Sequence, residues 1–304
     1  MNILGMPAEQ LIQLGLTKAA IALSTTLYFK STLYEQRAGV IACIEDYLAL
    51  CEPELRWYSD LEIRRFPAAT AELLRRPIAR LADPALAHKD VKFAAQGGAE
   101  PGAPSPYVLD LWNRVTPESL SYLRFSLPLD RLPDFAAFAA LTRTFAERLR
   151  FHHGYGGLTV NESLLLSVQQ SNSRYIFALT KRLLGLEVED SASTGRAARD
   201  AIKGVNWLTL VSDAFLPRLG GEEALRARLG PEVTVSRLPA GLLLQAGPEP
   251  RYGDVNAEEM LPEYRAVARA LKPIRLFKHP PLGPEELGSF GWQGTADWLR
   301  RFDD

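Results

Sequence analysis

The chain has 304 residues, of which 47% are hydrophobic and 23% charged, a composition far from the disordered and collagen-like extremes. With 35 Lys and Arg against 36 Asp and Glu, the formal net charge is −1, so the molecule as a whole projects no field that would draw in nucleic acid or an anionic membrane. The length suffices for a large core, and one α/β domain over residues 1–304 is the expected organisation.

Leu11 to Phe29 is an apolar stretch, but no basic residues precede it, Glu9 sits ahead of it and Lys18 interrupts it. It is therefore read as neither an export signal nor a membrane span, which places the protein in the cytoplasm. Within it, Ile21, Leu23, Thr25, Leu27 and Phe29 alternate with Ala22, Ser24, Thr26 and Tyr28, the period-two pattern of a strand with one face on a core. Val40, Ile41, Ile44, Leu48 and Cys51 then recur at helical spacing, and Leu55, Trp57 and Tyr58 return to extended character. Cys43 and Cys51 fall on that helix, roughly 12 Å apart at about 1.5 Å per residue. They cannot pair with each other there and read as buried apolar thiols.

The same succession recurs at Leu123, Phe125 and Leu127, followed by a helix through Phe138, Leu141, Phe145 and Leu149 that Asp134 opens, and a strand from Tyr155 to Val160. A third version runs from Val205 to Val211, through a helix with Phe215, Leu219 and Leu225, to Val233 and Val235. Pro239, Ala240 and Gly241 then supply hairpin chemistry before Leu242 to Leu244. Further helices fit Thr70 to Ala82, Ser163 to Leu184, Ala197 to Lys203 and Ala257 to Leu271. Gln96 to Pro106, dense in Gly and Pro, reads as a long surface loop. The fold class is a mixed α/β (α+β) protein. Its sheet is largely antiparallel, built from strand-helix-strand units with helices packed on it.

Chemistry is hard to find in this sequence. His88, His152, His153 and His279 lack metal-ligand spacing, and no C-x-x-C occurs, so no metal or cofactor is expected. His152 and His153 flank a strand start, where one ring should pack inward and the other meet solvent. No G-x-S-x-G elbow, Walker loop or G-x-G-x-x-G turn is present. Gly154, Gly156 and Gly157 read as backbone freedom at a strand start rather than a phosphate cradle. Asp90-Val91-Lys92 matches the D-x-K half of a metal-dependent nuclease signature, but its preceding acid would have to be Asp83, in a loop-like Asp-Pro pair. No catalytic residue is assigned.

Two acidic clusters remain, Glu187, Glu189 and Asp190, and Glu222 with Glu223. Their plain reading is a solvated surface. The functional alternative is docking, in which acids on exposed loops steer a basic partner.

Lys203-Gly204-Val205-Asn206-Trp207-Leu208-Thr209, followed by Pro217-Arg218-Leu219-Gly220-Gly221, resembles the signature of the TsiV-type family of type VI secretion immunity proteins. Thr26-Leu27-Tyr28-Phe29, His153-Gly154-Tyr155-Gly156-Gly157-Leu158 and Leu186-Glu187-Val188-Glu189-Asp190 stand in the matching order. The resemblance implies a mixed α/β protein encoded beside a toxic effector, in many cases a nuclease, that works by occluding the toxin rather than by catalysis. It supplies no catalytic residues to carry over. On this reading the partner is a cognate effector, nucleic acid is not bound directly, and a net charge of −1 points to a plug with local acidic help rather than wholesale mimicry of DNA. Val205, Trp207, Thr209 and Leu210 read as a buried strand, which gives Trp207 a structural role. Two other readings stay open. One is an enzyme whose site assembles from distant segments, and the other a structural subunit of a secretion assembly.

Overall fold

The computed structural model describes residues 18–63, 66–163 and 165–303. The part of the apolar stretch from Leu11 to Thr17 lies outside the described residues. Strand β1 (Ala20–Phe29) forms where the alternation predicts it, and β5 (Ser121–Leu127) and β6 (His153–Asn161) pair with it antiparallel on either side. Between them in the chain lie α1 (Arg37–Cys51), β2 (Trp57–Asp60), α2 (Ala71–Ala82), β3 (Val91–Gln96) and β4 (Val108–Asn113). Helix α3 (Phe135–Arg148) joins β5 to β6. The order across the sheet is β2-β3-β4-β5-β1-β6, continued by β8 (Leu208–Ser212), β10 (Gly241–Ala246) and β9 (Val233–Leu238). The short β7 (Glu187–Val188) pairs with β6 in parallel and makes the sheet ten-stranded; the other pairings are antiparallel.

Local chemistry sets several boundaries. Asp134 caps α3 by accepting from Ala137 N at 2.7 Å, and Thr70 caps α2 by accepting from Leu73 N at 3.2 Å. Gly241 opens β10 opposite Ser212 and beside Leu238, closing the expected hairpin. The Gln96 to Pro106 segment links β3 to β4, so the loop read from Gly and Pro is the connection of a wide hairpin.

One face of the central strands carries Leu27, Phe125 and Leu158 and is covered by α1 and α3. There Phe125 meets Phe145 edge-on at 4.6 Å between centroids, and Tyr47 donates to Ser126 O at 2.8 Å. Cys43 and Cys51 are buried and unpaired within this layer. Contrary to the one-sided strand expected, the opposite face of β1 is buried as well, with Ser24, Thr26 and Tyr28 on it.

After β6 follow α4 (Leu166–Arg182), α5 (Ser191–Ala197), α6 (Glu222–Arg228), α7 (Pro262–Ala270) and α8 (Gly291–Leu299). The helix expected over Ala197 to Lys203 is absent; that segment is irregular, and α5 ends at its first residue. Asp190 explains the shift, because its carboxylate accepts from Ser193 N at 3.0 Å and starts the helix earlier. The helix expected over Ala257 to Leu271 begins only at Pro262, a residue suited to a first helical turn. Among the described residues, no helix is long and apolar enough to cross a membrane.

Candidate functional site

The second face of β1 is where the distinctive sequence segments meet. Strand register aligns Asp110 of β4, Arg124 of β5, Thr26 of β1, Tyr155 of β6 and Thr209 of β8 in one row across the sheet. Glu189 closes over this row. Its carboxylate accepts from Tyr155 OH at 3.0 Å, Thr26 Oγ1 at 3.1 Å, Ser24 Oγ at 3.3 Å and Ser191 Oγ at 3.4 Å, with Arg124 Nε at 3.8 Å. Tyr28 and Tyr155 share a hydroxyl contact at 3.3 Å, and burial raises both phenols far above their ordinary range. Tyr122 donates to Asp110, whose carboxyl is pushed upward by burial against the pull of Lys92 and Arg124.

Beside this row, β7 brings in a third buried carboxylate. Glu187 has Lys203 Nζ at 2.8 Å and Arg301 Nη2 at 3.4 Å, with all three side chains shut off from solvent. Lys203 also donates to Val188 O. Burial raises Glu187 while the two cations hold it down, and burial lowers Arg301 to about 10. The two cations stand in for the water that the buried carboxylate has lost.

The glycines of the same region admit close neighbours. Gly157 has φ +150°, and a Cβ there would collide with Asn206 Oδ1; a Cβ on Gly154 would lie 2.7 Å from Thr26 O. Backbone approach rather than ligand binding accounts for G-x-G-G. Trp207 is fully buried against Phe135 and Phe138, its indole donating to Gly247 O at 3.0 Å.

Both members of the histidine pair are buried, which corrects the expectation that one meets solvent. His152 donates from Nε2 to Arg199 O at 2.8 Å and packs on Phe215; burial lowers it to about 4. His153 stacks on Tyr28 at 4.6 Å and donates to Ala198 O, and burial holds it well below 6.5. His279 donates from Nδ1 to Pro280 O at 2.6 Å, so its Nε2 accepts from Thr194 Oγ1 at 2.9 Å; burial lowers it to about 4. The D-x-K residues do not assemble with Asp83. Asp90 pairs with Arg114 at 3.1 Å, Lys92 lies over the Trp112 ring, and Asp83 caps a short turn by accepting from Ala85 N. Among the described residues, no group of three or more His, Cys, Asp or Glu could hold a metal ion.

The acidic clusters are not the two exposed patches expected. Glu187 is 3% exposed, and the Glu189 side chain is equally enclosed. Their alternation with Val188 and their distant partners put the carboxylates inside, where solvation is replaced by cations and hydroxyls. Asp190 is half-buried and occupied as a helix cap. Glu222 and Glu223 remain at the surface, opening α6. Glu222 pairs with Arg226 at 2.7 Å and Arg237 at 3.4 Å, and Glu223 is exposed. The two clusters share no hydrogen bond or ion pair among the described residues. The sequence assigns no ion-pair role to Arg124, Lys203 or Arg301, because their partners lie far along the chain; Arg301 and Glu187 are 114 residues apart.

The open surface has its own concavities. A cleft of about 490 Å³ at one end of the central strands is lined by Lys30, Arg150, His152, Ser212, Asp213 and Ala240. A narrower pocket of about 340 Å³ lies between Leu184, Met260, Leu261, Arg265 and Phe302.

The sheet has one apolar and one polar covered face, and the motif residues Tyr155, Glu187, Glu189 and Lys203 hold the polar face together. Residues 39–302 match the TsiV family, described as type VI immunity for VRR-NUC, and the chain belongs to that family. The Pseudomonas aeruginosa T6SS protein PA0821 is a structural neighbour at 27% sequence identity, with a TM-score of 0.80 over 94% of this chain and 83% of that chain. Comparison with curated proteins finds no match.

Proposed function

We propose that this protein protects its cell by binding a VRR-NUC nuclease effector in the cytoplasm and covering the effector's active or DNA-binding site, with no catalysis of its own. The observation that carries this reading is the family match over 39–302, within which the motif residues are engaged with one another in the interior. A blocker needs a rigid surface and no reactive constellation. The enclosed Glu189 network and the Glu187, Lys203 and Arg301 knot supply rigidity to the sheet that displays such a surface. A net charge of −1 favours steric plugging over imitation of a DNA backbone. Within the two acidic clusters, Glu222 and Glu223 lie at the surface and steer a basic partner, while Asp190 is half-buried and contributes less.

The test is titration of purified protein into a DNA-cleavage reaction run by a VRR-NUC effector domain. Inhibition complete at one equivalent, with a stable complex on gel filtration, is the expected result. Full nuclease activity at a large excess of the protein sinks the reading. Inhibition that progresses with time at a small fraction of an equivalent replaces it with an enzyme acting on the effector.

A further inference from the structure

The pocket bounded by Leu184, Met260, Leu261 and Phe302 combines an apolar floor with a cation that has no ion pair among the described residues. Nε and Nη1 of Arg265 are buried and have no hydrogen-bond partner among the described residues, and Arg265 lines the pocket. Buried guanidinium nitrogens without an acceptor are costly, since they lose water and gain nothing in return. Around the mouth, Val255 and Met260 are 46% and 59% exposed, large apolar side chains that the fold leaves uncovered.

The wall that carries them is braced. Arg182 holds Asp254 through two hydrogen bonds of 2.8 Å, Asp254 accepts from Asn256 N at 3.0 Å, and Arg251 pairs with Glu259 at 3.0 Å. Glu258 follows with φ +53°, a left-handed conformation unusual outside glycine, and turns the chain toward Met260. Of the two acids at the rim, Glu259 is paired with Arg251 and Glu258 is exposed to solvent, so the unmet demand inside the pocket is for an anion at the buried nitrogens of Arg265.

We propose that this pocket is a docking point for the effector, taking a segment in which a carboxylate side chain stands beside an apolar one. The carboxylate pairs with Arg265, and the apolar group fills the space between Leu184, Met260 and Phe302. An arginine desolvated on one side and packed among apolar groups is the kind of anchor that dominates an interface. The proposal rests on the effector-binding reading above and adds the place and chemistry of contact.

The experiment measures the affinity of a catalytically inactivated VRR-NUC effector domain for wild-type protein and for Arg265→Met and Met260→Asp, alongside thermal melting of each free protein. Both substitutions are expected to weaken the complex at least roughly tenfold. Arg265→Met removes two buried nitrogens that have no acceptor among the described residues, so the free protein should melt no lower than wild type; that separates a docking role from a structural one. Wild-type binding with both variants unchanged overturns the docking point while leaving the proposed function intact. A melting temperature that falls with Arg265→Met assigns Arg265 to the fold and overturns it too. An effector that does not bind wild-type protein removes both readings.

Discussion

Lys203 Nζ lies 2.8 Å from Glu187 Oε1, and both side chains are closed off from water. One belongs to the segment beginning Leu186 and the other opens the segment through Trp207, so the pair fastens two stretches that look unrelated in sequence. Removing one member of a buried pair leaves the other desolvated and uncompensated, a loss of about 3–5 kcal/mol. Lys203→Met and Glu187→Gln should each lower stability by about that amount in urea unfolding. The double variant should lose less than the sum, because the two share one interaction. Independent, additive losses would show that the pair does not act as a unit.

Stability should fall on mild acidification through His152. Its ring is held at about 4 against an ordinary 6.5. Above pH 6.5 neither the folded nor the unfolded chain protonates it. Between pH 6.5 and about 4 only the unfolded chain takes up the proton, so folding loses ground as pH drops. Glu162 works in the other direction, since burial pushes it up to about 8 and the folded chain keeps its proton when the unfolded chain has released it. Comparing wild type with His152→Gln cancels the Glu162 contribution, which both proteins share. The difference between their unfolding free energies should stay constant above pH 6.5 and change steadily below it. A difference independent of pH from 7 to 4 would contradict the assignment.

Trp207 is a packing residue, buried against Phe135 and Phe138 and tied to Gly247 O. Trp207→Ala should cost about 3–5 kcal/mol, while Trp207→Phe, which keeps most of the ring volume, should cost less. If Trp207→Phe kept stability but abolished effector binding, the tryptophan would belong to the interface instead.

Of the two acidic clusters, the one formed by Glu222 and Glu223 lies at the surface. Replacing both by Gln should slow association with the effector and flatten its dependence on ionic strength, with little change in the dissociation rate. Stopped-flow association at two salt concentrations measures this directly. Identical rates in the variant and the wild type would remove α6 from the approach path. Substitutions at Glu187 or Glu189 are unsuitable for this purpose, since they would disrupt the interior first.

Much of the fold is legible locally. The alternation from Ile21 to Phe29, the Asp134 and Thr70 caps and the Pro239 to Gly241 turn each encode structure within a few residues. Strands β3 and β4 are not legible in that way, because Val91–Gln96 begins inside the apparent nuclease motif and Val108–Asn113 follows the Gly/Pro-rich loop. Their order comes from pairing with each other and with β5. The polar interior is harder still. Glu187 and Glu189 carry the same local signal as surface acids, and only the approach of Lys203, Arg301, Arg124 and Tyr155 from distant segments reveals that they lie inside.

The place of β1 between β5 and β6 has a consequence in time. Ser24 Oγ donates to Phe125 O, 101 residues further along, and the neighbour on the other side, β6, comes later still. A strand whose both edges wait for remote partners gains nothing until long loops have closed, which slows folding. During that delay its apolar run is an exposed edge, open to mispairing and to chaperones. A guard against an incoming toxin is useful only once assembled, so the reserve of finished molecules, more than the rate at which new ones are made, would govern how a cell withstands a sudden attack.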